Sequence, residues 1–159
     1  MKNRNLEHKD DRKTPEYFYK ALDAMYKFDF DPCPYQHDMS WNWLEVERWQ
    51  SNFINPPYSR KLKDAFVKKA IEESKKWKLC VLLLPVSTST ILFHDYIQPN
   101  AKDIKFVKTR INFIGINSKW QKVNFKETTD EIIKDKEWKN IPLHVKNNWM
   151  HDSMVIILK

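Results

Sequence analysis

The sequence predicts an α/β fold with a mostly parallel central sheet, because strand-like and helix-like segments alternate along the chain. Leu79 to Leu84 is a continuous apolar run that ends at Pro85, as in a strand buried on both faces of a parallel sheet. Arg60 to Trp77 places apolar residues on one helical face and a solvated set of lysines and glutamates on the other. The length of 159 residues is about that of one domain, so we expect a single domain over 1–159.

The N-terminal part of the chain predicts one helix and a short strand. Residues 1–13 are polar and charged and are expected to form a loose N-terminal arm. Thr14 is the expected N-cap of the first helix, with Pro15 at its first helical position. Phe28 to Asp31 alternates apolar and acidic residues and then meets Pro32, which indicates a short strand followed by a stiff turn.

The remaining segments predict further strands, one more helix and a polar insertion. A brief strand at Asn52 to Ile54 precedes the amphipathic helix, and a third helix is expected within Ser87 to Ile97. Residues 118–148 form a long polar insertion with a weak helical signal around Thr129 to Lys136. The other expected strands are Ile104 to Val107, Ile111 to Ile116 and Met154 to Leu158.

Charge and composition restrict the function classes that are open to this chain. Lysine and arginine number 28 against 21 aspartates and glutamates, a formal charge of +7 that favours a polyanionic partner. The single glycine, Gly115, excludes a Walker loop and a Gly-x-Gly-x-x-Gly turn, since both need several glycines close together. Cys33 and Cys80 fit no metal-binding or redox spacing, and the N-terminus lacks a signal-peptide pattern. We expect a reduced, cytoplasmic protein without a metal or a membrane span.

The tetrapeptide Asn55-Pro56-Pro57-Tyr58 is the sharpest chemical signal in the sequence. It follows a short apolar strand, which is where ligands bind in open α/β sheets. The Asn55 amide oxygen and the Pro56 carbonyl are acceptors that can hold an exocyclic adenine amine and aim its lone pair at an electrophilic methyl group. Pro57 restricts the conformation of Pro56, and Tyr58 offers an aromatic face to an unstacked base. These four residues are the expected catalytic set; the alternative interpretation is a proline-stiffened turn with an exposed tyrosine.

The tetrapeptide and its flanking segments resemble the phage-encoded DNA N6-adenine methyltransferase (Dam) family. The resemblance runs from Thr14 to about Ile116 and returns at the C-terminal strand. It implies an abbreviated Rossmann-like fold and methyl transfer from S-adenosylmethionine to adenine N6 in DNA, within a bacterial host cell. The segments that carry it are Thr14-Pro15-Glu16-Tyr17-Phe18, Phe28-Asp29-Phe30-Asp31-Pro32-Cys33, Asn55-Pro56-Pro57-Tyr58-Ser59, Leu82-Leu83-Leu84-Pro85, Arg110-Ile111-Asn112-Phe113 and Ser153-Met154-Val155-Ile156.

The resemblance also implies a set of residues for each ligand. Asp31 is expected to close the first strand beside the amino-acid end of S-adenosylmethionine. The partner is double-stranded DNA, whose target adenine must be extruded from the duplex, and the protein is expected to be a monomer or homodimer. The expected cofactor-binding residues are Thr14, Pro15, Asp31, Pro32, Cys33, Asn55 and Pro85. The expected DNA-binding residues are Tyr58, Ser59, Arg110, Lys119, Trp120 and Lys122, the last three within the polar insertion.

Two departures from the family pattern keep other functions open. The turn Pro32-Cys33-Pro34-Tyr35 lacks the glycines that common methyltransferases carry after the first strand. Asp31 and Asn55 are also too close in sequence for the usual two intervening strands. The missing glycines favour one alternative, a non-catalytic DNA-binding relative. The other alternative is a methyltransferase of RNA bases or protein glutamine, because the same tetrapeptide serves those substrates. The residue that holds the cofactor ribose is unassigned among Asp38, Glu45 and Glu47.

Overall fold

A computed structural model describes residues 13–34, 44–111, 113–116, 122–124, 132–134, 140–142 and 151–159. Its helical segments are α1 (Glu16–Tyr26), α2 (Arg60–Ser74), a π-helix (Leu92–Ile97) and α3 (Gln98–Asn100). Its strands are β1 (Ser51–Ile54), β2 (Leu79–Pro85), β3 (Asp103–Phe106), β4 (Ile114–Ile116), β5 (Lys122–Asn124), β6 (Ile132–Lys134), β7 (Asn140–Pro142) and β8 (Ser153–Leu158). The mixture of helices and strands confirms the α/β class. None of the described helices is long and apolar enough to cross a membrane.

The central sheet has four strands in the order β1-β2-β8-β3 and is only partly parallel. β1 and β2 pair in parallel, with Ile54 opposite Leu82. A parallel bridge joins Phe30 to Asn52 of β1. β8 runs antiparallel to both of its neighbours, β2 and β3. The expected mostly parallel sheet is therefore confirmed only on the β1 side, because the last strand of the chain returns between β2 and β3.

The strand directions bring several segments to one edge of this sheet. β1, β2 and β3 point the same way, so their carboxyl ends lie at a common edge, where β8 begins. There the Val86 N–H donates to the carbonyl of Asp152, and the Val107 N–H donates to the carbonyl of Ser153. We call this side the carboxyl edge and the opposite side the amino edge. Ligands of open α/β sheets bind at the carboxyl edge.

Alternation along the strands divides the core between two faces of the sheet. On one face α2 and the π-helix cover the strands, and on the other α1 and residues after β3 do so. The first face contains Ile54, Phe66, Val67, Leu82, Leu84, Phe93, Met154 and Ile156. The second face contains Leu22, Phe53, Val81, Leu83, Ile111, Phe113, Val155 and Ile157. Each face thus has its own apolar layer, which fixes the positions of the strand ends.

Two local predictions are wrong. Pro15, with φ −57° and ψ 140°, is the N-cap of α1, and the Thr14 hydroxyl accepts a hydrogen bond from Asn55 Nδ2 instead. A long-range bond therefore replaces the local cap. Residues Ile132–Lys134 form a strand paired antiparallel with Asn140–Pro142, where a helix around Thr129 to Lys136 was expected. The β-branched isoleucines of this segment favour a strand.

Three other expected elements are confirmed in part. Of Phe28 to Asp31, Phe30 makes the single parallel bridge to Asn52. Within the described residues of the strand expected at Ile111 to Ile116, only β4 is a strand, and it pairs with β5 outside the central sheet. The helix expected within Ser87 to Ile97 is the π-helix, which begins at Leu92.

A buried ion cluster joins the end of α2 to the amino edge of the sheet. The carboxylate of Glu73, which is 1% exposed, contacts the ammonium groups of Lys69, Lys76 and Lys78 at 2.9–3.2 Å. Lys78 Nζ also donates to the carbonyl of Arg48, in the segment that precedes β1. Burial opposes ionisation of Glu73, but the hydrogen bonds from the lysines outweigh it and lower its pKa to about 2. The cluster thus ties helix, sheet and preceding loop together.

Candidate active site

A cleft of about 210 Å³ opens at the carboxyl edge, on the α1 face of the sheet. It brings together side chains from the segment before α1, the turn after Phe30 and the end of β1. The lining residues are Lys13, Thr14, Glu16, Tyr19, Asp31, Cys33, Pro34, Phe53 and Asn55. Residues that were expected to bind the cofactor and to catalyse the reaction are therefore neighbours in space, although they lie far apart in sequence.

Two hydrogen bonds fix the amide of Asn55, which is 9% exposed. Its Nδ2 donates to Thr14 Oγ1 at 3.1 Å, and its Oδ1 accepts from the Tyr58 hydroxyl at 2.8 Å. The Tyr58 hydroxyl also lies 3.2 Å from the Leu83 carbonyl, and its ring packs edge-on to Phe113 with centroids 6.1 Å apart. The amide oxygen of Asn55 thus faces the Tyr58 hydroxyl, and its amide nitrogen faces Thr14.

The turn that follows Phe30 closes without glycine. The Cys33 N–H donates to Asp31 Oδ1 at 2.8 Å, which makes Asp31 the first residue of an Asx-type turn. Among the described residues other than glycine, positive φ angles occur only at Lys27 and Trp77. No position between Asp31 and Pro34 therefore needs the conformational freedom of glycine. The absence of a glycine-rich sequence here is compatible with a well-formed turn at the cleft.

Burial sets the protonation of the two acidic groups in this turn. Burial raises the pKa of Asp31 to about 6, while the Cys33 backbone hydrogen bond and the Arg48 charge act to lower it. Burial, together with the charge of Asp31, raises the pKa of the Cys33 thiol well above its usual value. Arg48 is itself buried, with its guanidinium carbon 5.8 Å from the centre of the Phe66 ring. At neutral pH the cleft contains a carboxylate beside a protonated thiol.

A family model described as DNA N-6-adenine-methyltransferase (Dam) matches residues 2–155. The chain belongs to this family. The resemblance drawn from Asn55-Pro56-Pro57-Tyr58 is confirmed, and membership implies methyltransferase activity. Neither the curated proteins nor the solved structures gave a match.

Some of the residues expected to bind ligands in this Dam-family chain lie outside the cleft. Pro85 is buried at the end of β2, opposite Ser153 of β8. Pro15 and Pro32, both buried, adjoin cleft residues without lining the cleft. Pro85 therefore shapes the carboxyl edge, whereas Pro15 and Pro32 set the backbone beside Thr14 and Asp31.

Of the residues expected to bind DNA in this Dam-family chain, Tyr58, Ser59 and Arg110 lie near the carboxyl edge of the sheet. Ser59 is the N-cap of α2, and its carbonyl accepts from the Lys63 N–H at 2.9 Å. Arg110 is exposed, and its Nε lies 3.5 Å from Asp152 Oδ1. Lys119 and Trp120 fall outside the described residues, as does the side chain of Lys122 in β5. Their predicted contacts with DNA stay predictions.

The cleft also contains residues that sequence reasoning missed. Phe53 precedes Asn55 by two positions, the strand spacing that puts two side chains on the same face. Glu16 and Tyr19 are one helical turn apart on α1. Helix and strand periodicity could therefore have pointed to them. Among the described residues no group of three or more His, Cys, Asp or Glu side chains could hold a metal.

Glu47, one of the candidates for binding the cofactor ribose, lies away from the cleft. Glu47 contacts Lys78 Nζ at 3.0 Å, beside the start of β2 at the amino edge. This edge is opposite to the one that carries Asn55. Glu45 does not line the cleft either, and Asp38 lies outside the described residues.

Proposed function

We propose that this protein transfers a methyl group from S-adenosylmethionine to the N6 amine of an extruded adenine in DNA. The observation that carries the proposal is the oriented amide of Asn55, which lines a cleft that also contains the partly buried carboxylate of Asp31. Membership of the Dam family supports both the methyl transfer and the DNA substrate. The formal charge of +7 supports a nucleic-acid substrate as well.

The chain's own contribution is to hold the adenine amine in a reactive geometry. S-adenosylmethionine, when bound, supplies an electrophilic methyl group on a sulfonium. Asn55 Oδ1 and the Pro56 carbonyl accept hydrogen bonds from the two N–H groups of the amine, which favours a tetrahedral nitrogen with its lone pair directed at that methyl group. An amide oxygen has two lone pairs, so Asn55 Oδ1 serves the Tyr58 hydroxyl and the amine together. Transfer would form the N–C bond as the methyl–sulfur bond breaks, and the spent donor would leave as a neutral thioether. The N6 proton would then pass to solvent, so no strong base is needed.

The cleft residues fit one end of the methyl donor. The Asp31 carboxylate can make a charge-assisted hydrogen bond with the donor's ammonium group, and the Tyr19 and Phe53 rings supply apolar surface beside it. The volume of about 210 Å³ is below the roughly 300–1,000 Å³ of whole small-molecule sites. This cleft would therefore hold the amino-acid end of the donor rather than the entire molecule.

Labelling experiments separate this proposal from its alternatives. The protein is incubated with tritiated S-adenosylmethionine and, in separate reactions, with plasmid DNA, RNA and ribosomal extract. We expect label in N6-methyladenine of the DNA. Label confined to RNA or to protein glutamine would contradict the DNA substrate. Retained DNA binding without any label would indicate a non-catalytic relative.

Donor binding is expected to weaken as the pH falls through about 6, because burial raises the pKa of Asp31 to that value and its neutral form cannot pair with an ammonium group. At about pH 7.5 Asp31→Asn should lower the affinity for S-adenosylmethionine roughly 10- to 100-fold, the scale of a hydrogen bond between charged groups. It should also flatten the pH dependence. Calorimetric titrations between about pH 5 and pH 8 measure both effects. The control is Asp95→Asn, at an exposed carboxylate outside the cleft; an Asp31→Asn protein with the wild-type profile would contradict this role.

Thr14 is expected to act as a positioning residue for Asn55, because its Oγ1 accepts the 3.1 Å bond from Asn55 Nδ2. Thr14→Val keeps the side-chain shape and removes the acceptor, so single-turnover methylation should slow by about 2- to 10-fold, the range of one net hydrogen bond. Thr14→Ser keeps the hydroxyl and should restore the rate. If Thr14→Val raised KM for S-adenosylmethionine with kcat unchanged, Thr14 would instead be a donor-binding residue.

A further inference from the structure

A second, larger cleft of about 560 Å³ lies on the α2 face of the sheet, opposite the candidate active site. One wall is the first half of α2, which begins after the carboxyl end of β1. The other wall is the segment that follows the carboxyl end of β2. The residues that define it are Arg60, Lys63, Asp64 and Lys68 on α2, and Ser89 and Tyr96 across from them. We call this cleft the basic groove.

The basic groove contains more positive than negative charge. Arg60, Lys63 and Lys68 line it together with the single carboxylate of Asp64. Within the described part of the chain, none of the three cations forms an ion pair with a carboxylate. The lysines near the other end of α2 differ, since the carboxylate of Glu73 contacts them. A concave surface with uncompensated cations attracts a polyanion.

The dimensions of the basic groove suit one strand of DNA. Arg60 and Lys68 are eight positions apart on α2, about 12 Å along the helix axis. This distance is about the rise of three to four nucleotides of one strand. On the facing wall Ser89 contributes a hydroxyl group, and the Tyr96 ring lies 4.6 Å from Lys68 Nζ. Cations and hydroxyls are among the side-chain groups that contact phosphate oxygens in DNA complexes.

We infer that the basic groove binds the phosphate backbone of the DNA strand next to the extruded adenine. The inference rests on the proposed function for the identity of the nucleic acid. Arg60 follows Tyr58 by two residues, so a strand bound in the groove passes beside the Asn55-to-Tyr58 motif. The DNA then approaches from the α2 face, whereas the donor cleft opens on the α1 face. Phosphate contacts fix the position of the duplex and carry no base sequence information.

Salt-dependent DNA binding tests this assignment. The triple variant Arg60→Gln/Lys63→Gln/Lys68→Gln is titrated by fluorescence anisotropy against a labelled duplex of about 20 base pairs at several salt concentrations. A plot of log K against log salt has a negative slope, and each lost phosphate contact reduces its magnitude by about 0.9. The slope of the triple variant should therefore be shallower by up to about 2.7. Near 0.1 M salt the affinity should be at least about 10-fold weaker. Each of the three single variants should make the slope shallower by about 0.9. The single variants replace the triple variant in this test if the triple variant unfolds.

The matched control removes the same charge from the amino edge. Lys75→Gln/Lys102→Gln/Lys159→Gln alters three exposed lysines and should leave the slope close to that of the wild type. The inference is overturned if the groove variants keep the wild-type slope or if the control triple shows the same fall. The inference is also overturned if the groove variants reduce the magnitude of the slope for an RNA duplex of the same sequence but leave the slope for DNA unchanged.

Failure of the groove and failure of the proposed function give different results. If the groove assignment is wrong, the wild type methylates DNA while its DNA affinity is indifferent to the groove substitutions. If the proposed function is wrong, the wild type shows no methyl transfer to DNA, whereas DNA binding still depends on Arg60, Lys63 and Lys68.

Discussion

Replacing Asn55 with alanine is expected to lower methyl transfer by about 10²- to 10³-fold, the loss seen when one hydrogen bond to a transition state is removed. The affinity for DNA should stay nearly unchanged, since the basic groove and the other cationic residues are intact. The physical reason is geometric. The Asn55 amide is held through Nδ2 by Thr14 and through Oδ1 by Tyr58, so its hydrogen bond to the adenine amine needs little reorganisation during the reaction.

Rapid-quench single-turnover assays with saturating DNA and S-adenosylmethionine measure this loss directly. Asn100→Ala is the matched control, because it deletes a partly exposed amide that donates to the Tyr96 carbonyl, outside the active-site cleft. Its methylation rate should equal that of the wild type. Wild-type turnover in Asn55→Ala would remove Asn55 from the mechanism. Loss of DNA affinity in step with turnover would instead assign Asn55 to substrate binding alone.

The positions of the four strands of the central sheet could be predicted from the sequence, but their directions could not. The apolar run at Leu79–Pro85 and the one at Ser153–Leu158 indicate buried strands because both faces of each strand meet core residues. An apolar run is the same whether its strand runs parallel or antiparallel to its neighbour. The antiparallel return of β8 between β2 and β3 therefore became visible only in the structure.

The sequence could predict the part of the candidate site that is formed by residues at the ends of strands. Asp31 and Asn55 each follow a strand-like segment, and the parallel pairing of Phe30 with Asn52 brings both to the carboxyl edge. The hydrogen bond between Thr14 and Asn55 spans 41 positions, and local capping rules favoured a different partner for Thr14. Long-range contacts of this kind depend on the packing of α1 against the sheet, which periodicity alone does not specify.

Helical periodicity also failed to distinguish the polar residues of α2 from one another. The sequence places its lysines and glutamates on one solvated face, whereas the structure buries Glu73 and turns Lys63 and Lys68 towards the basic groove. Periodicity identifies the polar side of a helix without showing which other segment lies against it. The environments of Glu73 and of the groove lysines depend on the segments before β1 and after β2, respectively.

Glu73→Gln is expected to lower the free energy of unfolding by about 3 kcal/mol, because it removes the buried partner of the Lys78 ammonium and leaves that charge with the exposed carboxylate of Glu47. The Lys78 ammonium would lose its 2.9 Å contact with Glu73 while its side chain stays 9% exposed. Urea denaturation near neutral pH measures the change. Glu72→Gln is the matched control, since it alters the adjacent, exposed carboxylate and should change the stability by less than about 0.5 kcal/mol.

The pH dependence provides a second test of the same cluster. The pKa of Glu73 is about 2 in the folded protein and near 4.5 in the unfolded chain. The folded value is lower because the lysine hydrogen bonds outweigh the effect of burial. A carboxylate whose folded pKa is depressed stabilises the protein above its unfolded pKa and loses that contribution as the pH falls through its folded pKa. The stability difference between wild type and Glu73→Gln should therefore be complete above about pH 4.5 and shrink towards pH 2. A difference that stays constant over this range would show that packing, rather than charge, makes Glu73 important.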